Sequence, residues 1–140
     1  MTNLFKDNLY KAFKGKKVIV TGHTGFKGSW LATWLNALGA DVTGISINVP
    51  TSPSNFKANQ LQTKINDIRC DITDLSKTIK LIKRLKPDFI FHLAAQSLVK
   101  KSYDSPLLTW QTNLIGTVNV LESLRRTNKE CYAVIITSDK

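Results

Sequence analysis

The sequence predicts an α/β fold, a doubly wound parallel sheet of strand order 3-2-1-4-5, truncated after the fifth strand. Three observations lead there. Five short apolar segments alternate with segments of helical period, which implies parallel pairing through right-handed crossovers. The first of them runs into a glycine-rich turn and then directly into an apolar-periodic segment. The fourth, Phe89-Ile90-Phe91-His92-Leu93-Ala94-Ala95, is almost continuously apolar, as a strand covered on both faces should be. A chain of 140 residues suits one domain and can bury about two thirds of its unfolded surface.

Each element has its own signal. Leu4, Phe5, Leu9 and Phe13 give the N-terminus a small amphipathic helix, expected to cover one edge of the sheet. Lys17 to Thr21 is the first strand, and Lys27 to Leu38 a helix stopped by Gly39. Val42 to Ile47 is the second strand. Asn48 to Asn59, rich in Pro and Ser/Thr, reads as a loop. Ile65 to Cys70 gives a third, weaker strand. Leu75 to Leu85 is a helix with apolar residues at 75, 79, 82 and 85, and Pro87 ends that unit. After the fourth strand, Ser105-Pro106 opens the longest helix, to about Arg126, with proline in the first turn where its missing N–H costs nothing. Tyr132 to Ile136 is the fifth strand. A last apolar strand with no sixth neighbour would leave an open sheet edge, so the chain is expected to be the N-terminal part of something larger.

Charge and cysteine content narrow the classes. The net charge of +10, with a pI near 9.8, favours anionic partners. The basic residues are dispersed, however, and short clusters such as Lys14-Gly15-Lys16-Lys17 flank apolar segments, so most read as solvated faces and nucleic acid is not an expected partner. Cys70 and Cys131 are far apart, with no CxxC and no paired His. That argues against a zinc site and for reduced thiols in a cytoplasmic protein. No apolar run approaches the roughly 18 residues of a membrane span.

The turn after the first strand carries the chemistry. In Thr21-Gly22-His23-Thr24-Gly25-Phe26-Lys27-Gly28, Gly22 permits a sharp exit from the strand. Gly25 lets backbone approach a pyrophosphate, and Gly28 lets the helix pack close to the sheet. First-turn N–H groups and the helix dipole favour an anion there. Lys27 opposes that dipole unless a phosphate sits beside it; the alternative is a solvated surface lysine. The second strand ends in Ser46-Ile47-Asn48 without the acid that commonly binds ribose hydroxyls, so these residues do not repel NADP. His92, inside an apolar run, reads as a satisfied core histidine.

These motifs, with Asp71-Ile72, His92-Leu93-Ala94-Ala95-Gln96 and Asn113-x-x-Gly116-Thr117, resemble the extended short-chain dehydrogenase/reductase family, which acts mostly on nucleotide sugars. Phe26-Lys27-Gly28-Ser29-Trp30-Leu31, Pro50-Thr51-Ser52-Pro53 and the closing Thr137-Ser138-Asp139-Lys140 are similar to its CDP-glucose 4,6-dehydratase branch. The resemblance covers about Phe13 to Lys140 and only the cofactor half of such an enzyme. Residues 1–140 would then be an incomplete Rossmann-type NAD(P)-binding domain.

The resemblance implies NAD as cofactor and a nucleotide sugar, CDP-glucose, as substrate. Hydride leaves C4 of the glucosyl unit, water is lost across C5 and C6, and the hydride returns at C6. Ser138 would hydrogen-bond O4, Asp139 would protonate the departing hydroxyl, and Lys140 would assist C5 deprotonation or hold a water; the alternative is a polar strand end facing solvent. Gly22, Gly25, Phe26, Lys27 and Gly28 would surround the pyrophosphate. Asp71 and Ile72 would meet adenine, unless Asp71 only closes a turn. Leu93, Ala94, Ala95 and Gln96 would line the nicotinamide side, with Ser97 and Lys100 nearby. Asn113, expected buried mid-helix, would steady the active-site backbone.

The family's Tyr-x-x-x-Lys is absent, and so is its segment that grips the substrate nucleotide, so this stretch alone is not expected to turn over substrate. The family's homodimer pairs the long helix with a second one that the sequence lacks, so dimerisation is not expected of this stretch. Other nucleotide-sugar dehydratases or epimerases, and a non-catalytic dinucleotide-binding module, are the alternative readings.

Overall fold

Val18, Ile19 and Val20 point alternately to the two faces of a strand, and this alternation divides the core in two. A computed structural model of the protein describes residues 3–137. Its strands β1 (Lys17–Thr21), β2 (Asp41–Ser46), β3 (Asn66–Arg69), β4 (Phe89–His92) and β5 (Tyr132–Ile135) form one parallel sheet in the order β3-β2-β1-β4-β5, as the sequence predicts. In register, Ile19 lies between Thr43 of β2 and Ile90 of β4. Every residue of β1 after Lys17 is buried, which explains its unbroken apolar run.

Helices α1 (Asn3–Phe13), α2 (Phe26–Ala37) and α3 (Asn55–Ala58) cover the Val18/Val20 face, where Ala32, Leu35, Phe56 and Leu61 complete the core. Helix α4 (Leu75–Leu85) covers the Ile19 face with Leu81 and Ile82. Beside it stands the expected long helix. It runs from α6 (Pro106–Trp110) through a wide π turn (Gln111–Ile115) into α7 (Gly116–Arg125), whose Val120 is fully buried. No helix among the described residues is long and apolar enough to cross a membrane.

Three expectations need correction. Helix α1 does not cover an edge: the Phe13 ring packs 5.1 Å from Phe89 and 6.3 Å from Phe91, on β4 inside the sheet. The segment 48–59 is not all loop. Ser54 caps α3 by accepting from Lys57 N, and this anchors Phe56 in the core. An unforeseen helix, α5 (Val99–Asp104), follows β4; it has no side-chain cap and no buried residue, so no apolar period announces it.

Candidate functional site

The carboxyl ends of β1 and β4 lie side by side at the switch point of the sheet, and the sequence motifs meet there. Gly22 leaves β1 at φ +73°, and a Cβ on it would lie 2.8 Å from Ala94 N and 2.9 Å from Leu93 C. Its glycine is thus required twice, by conformation and by contact with the segment after β4. Gly28 is required by contact with the turn itself, since a Cβ there would enter the Gly22 carbonyl. Gly25 differs. Its φ of −73° suits any residue, and a Cβ would meet only Gly22 O, at 3.3 Å, with open space beyond. Backbone conformation does not demand glycine at 25, and beyond the one crowded carbonyl its missing side chain leaves open space. Gly25 is the N-cap of α2 and offers no side-chain cap, and the first turn holds exposed Phe26 and Lys27 but no acid. An anion placed there would meet unopposed N–H groups and a positive helix end.

Beneath this turn lies a residue that sequence reasoning passed over. The imidazole of His23 is fully buried, 2.8 Å from Asp67 Oδ1 through Nε2 and 3.0 Å from Ser46 Oγ through Nδ1. The ring of Phe56 meets it edge-on. Gly44 makes the space, because a Cβ there would overlap the imidazole. Burial pushes the His23 pKa below its usual value, outweighing the upward pull of Asp67. Asp67 also pairs with Arg69 at 2.7 Å, so the acid nearest to the end of β2 is already engaged on both oxygens. The only sequence signal was a histidine within the glycine turn; its partner lies 44 positions away.

At the end of β3, Asp71 Oδ1 accepts from the Thr73 N–H at 2.9 Å and the Thr73 hydroxyl at 2.8 Å, the turn-closing alternative, while the side chain stays exposed. Ile72 is buried against Gly116, where a Cβ would lie 2.6 Å from Ile72 Cδ1. Asn119 Nδ2 donates to both Ile72 O and Thr73 O at 2.9 Å, fixing this corner to α7.

After β4 the backbone is held at both ends. Leu93 and Ala94 N–H groups donate to Thr21 Oγ1, each at 3.1 Å. Asn113 grips Gln96 from both sides: its Oδ1 accepts from Gln96 N at 2.7 Å, and its Nδ2 donates to Gln96 O at 3.0 Å. The expected steadying contact is therefore present, but Asn113 itself is exposed rather than buried. The apolar residues around it, Leu107, Trp110, Leu114 and Val118 among them, are exposed as well, at 45–71%. The Gln96 amide turns back onto Leu98 and Thr109; Leu93 and Ala94 pack against the two opposite core clusters, and Ala95 is exposed. Ser97 and Lys100 are exposed. His92, buried as expected, lies between Thr21 and Thr117. Ser138, Asp139 and Lys140 lie outside the described residues; the chain approaches them alongside β4, with Ile136 N bonded to His92 O at 3.0 Å.

Comparisons with known proteins bear on the family and the fold. A profile of the GDP-mannose 4,6 dehydratase family matches residues 19–140. The CDP-glucose 4,6-dehydratase of Salmonella typhimurium is 45% identical over 128 residues, covering 91% of this chain and 36% of that protein. The GDP-mannose 4,6-dehydratase of Yersinia enterocolitica is 35% identical, covering 79% and 31%. The chain thus spans about a third of the length of these curated relatives. Among solved structures, the Thermus thermophilus UDP-glucose 4-epimerase in complex with NAD superposes with a TM-score of 0.69 at 30% identity, over 79% of this chain and 34% of that one. An epimerase from Methanothermobacter thermautotrophicus gives 0.78 at 28% identity, over 96% and 39%. With the family profile matched from β1 through β5, the chain belongs to the GDP-mannose 4,6 dehydratase family, a nucleotide-sugar branch of the extended short-chain dehydrogenase/reductases.

Proposed function

We propose that residues 1–140 are the cofactor-holding part of a nucleotide-sugar 4,6-dehydratase that binds NAD and acts on CDP-glucose. The observation that carries this reading is Gly25, a glycine that its backbone conformation does not require and that faces open space beyond one backbone oxygen, at an uncapped helix N-terminus. A pyrophosphate fits that space: backbone N–H groups of 26–28 meet its oxygens, and Lys27 supplies a counter-charge. Asp71 has a second carboxylate oxygen outside its turn for a donor on adenine, and Ile72, buried beneath, fixes this corner rather than exposing a broad apolar wall. Leu93, Ala94 and Ala95 leave room for a flat ring, and Asn113 holds that loop through Gln96.

Bound NAD would supply a hydride acceptor that returns the hydride later in the same cycle. The chain's own task is to orient it and keep its ring side dry. Ser138, Asp139 and Lys140 are proposed to act on the sugar, Asp139 as the proton donor to the leaving hydroxyl; that role needs a carboxyl kept partly protonated. CDP-glucose is favoured over GDP-mannose by the higher identity to the former enzyme. The cofactor's adenosine ribose is the less decided end, because Ser46 is buried on His23 and no carboxylate follows β2. The full enzyme is proposed to dimerise through the exposed apolar face of α6 and α7.

A chimera tests the assignment: residues 1–140 joined to the remaining segment of the Salmonella CDP-glucose enzyme. It is expected to convert CDP-glucose to a 4-keto-6-deoxy product, and Asp139→Asn should lower kcat by about a hundredfold or more. A folded chimera that binds NAD without forming this product would contradict the dehydratase reading.

A further inference from the structure

The hydrogen bonds around His92 admit one placement of their protons. Thr21 Oγ1 accepts from the Ala94 N–H at 3.1 Å and from the Leu93 N–H at 3.1 Å, the latter shared with the Thr21 carbonyl at 3.2 Å, which leaves its own proton to be donated. Its remaining partner is His92 Nδ1, at 2.7 Å. Nδ1 is therefore the bare nitrogen. On the far side, Thr117 donates its hydroxyl proton to Asn113 O at 2.6 Å and can only accept from His92 Nε2, at 3.0 Å. The Thr117 end requires a proton on Nε2 and the Thr21 end a bare Nδ1, and together they define the neutral tautomer protonated at Nε2.

We propose that His92 is a positioning residue, a neutral imidazole that transmits the placement of α7, through Thr117 and Thr21, to the Leu93–Ala94 backbone lining the cleft. Thr21 immediately precedes the glycine turn, and Gly22 packs directly on Leu93 and Ala94. The relay therefore ties both walls of the switch-point cleft to one helical turn, Asn113–Thr117, whose Asn113 side chain holds the other end of the same loop at Gln96. The ring is 2% exposed, and burial alone pushes its pKa down, which keeps the neutral form. That the cleft holds a dinucleotide rests on the function proposed above; the tautomer and the loop anchoring do not.

The test combines nitrogen NMR of the 15N-histidine-labelled chain with amide exchange at Ala94 and NAD titration. His92 is expected to show an unprotonated Nδ1 and a protonated Nε2. Thr117→Val, which touches neither the loop nor the cleft, should speed Ala94 exchange and weaken NAD binding, each by about tenfold, the size of one lost hydrogen bond. Thr117→Ser should restore both. An Nδ1-protonated or charged His92 in the unmodified chain would overturn the relay without recourse to any variant. So would Ala94 exchange that stays unchanged in a Thr117→Val protein with native spectra. A chain that never binds NAD yet shows the expected tautomer and exchange would refute the cofactor reading and leave the relay standing.

Discussion

Gly22, Gly25 and Gly28 look alike in sequence but answer to different constraints, and substitution should separate them. Gly22→Ala combines a left-handed φ of +73° with a collision on the Ala94 backbone, so a loss of about 3 kcal/mol or more is expected in denaturant unfolding. Gly25→Ala meets a single atom at 3.3 Å and should leave stability within about 1 kcal/mol while weakening dinucleotide binding. Gly44 offers a coupled test, because its missing side chain makes room for His23. Gly44→Ala is expected to cost about 2 kcal/mol in the native background and clearly less beside His23→Ala, a coupling that a double-mutant cycle reads directly. The glycine roles could be inferred from the order strand, turn, helix. The His23–Ser46–Asp67 cluster could not, since it joins the turn after β1 to β2 and β3 and no local pattern links a histidine in a turn to an acid 44 residues on.

Among the elements, legibility followed burial and capping. Helix α4 was read at its observed limits because its apolar residues recur at helical spacing, and the structure adds a cap, Asp74 accepting from Lys77 N at 3.0 Å. The short helix α3 escaped because its signal is one cap, Ser54, and one buried ring, Phe56. Helix α5 buries nothing and so leaves no period to read. The π turn at Gln111–Ile115 widens the long helix where Asn113 reaches Gln96, a contact invisible to a 3.6-residue period. Helix α7 in turn fixes the β3 corner. Asn119→Ala would leave the carbonyls of Ile72 and Thr73 without their donor, and about 2 kcal/mol of destabilisation is expected, measured by thermal or denaturant unfolding. A variant as stable as the parent would mean that the corner is held by packing of Ile72 on Gly116 alone.

At the scale of the whole molecule, the two histidines shape the response to pH. His23 and His92 are both held neutral by burial, so the unfolded chain takes up protons first as pH falls below about 6.5. Stability should be flat above pH 7 and decline as pH falls below about 6.5, at no more than two protons, about 2.7 kcal/mol per pH unit. His23→Gln should reduce that slope, although His23 also faces Asp67 and Arg69, whose opposite effects are already part of its net downward shift. The acids act lower: Glu122, held at about 2 by Arg125 and Arg126, and Asp88, lowered by Lys129 and Lys17 N, lose their contribution only as pH falls below 4. Sheet order and the glycine turn at the β1/β4 switch point were both legible because the apolar segments and the strand-turn-helix order fix them. The exposed face of α6 and α7 was not, because Leu107, Trp110 and Leu114 look like core residues until their surroundings are known. The claim on which the account turns is that the open space at Gly25 holds a dinucleotide. Thermal unfolding of the chain with and without NAD at a hundred times its dissociation constant, beside Gly25→Val, tests it most directly. The account predicts about 2.7 kcal/mol of stabilisation in the parent and none in the variant, with both unfolding cooperatively. Cooperative unfolding of the parent that NAD, NADH and NADP all leave unmoved would contradict it.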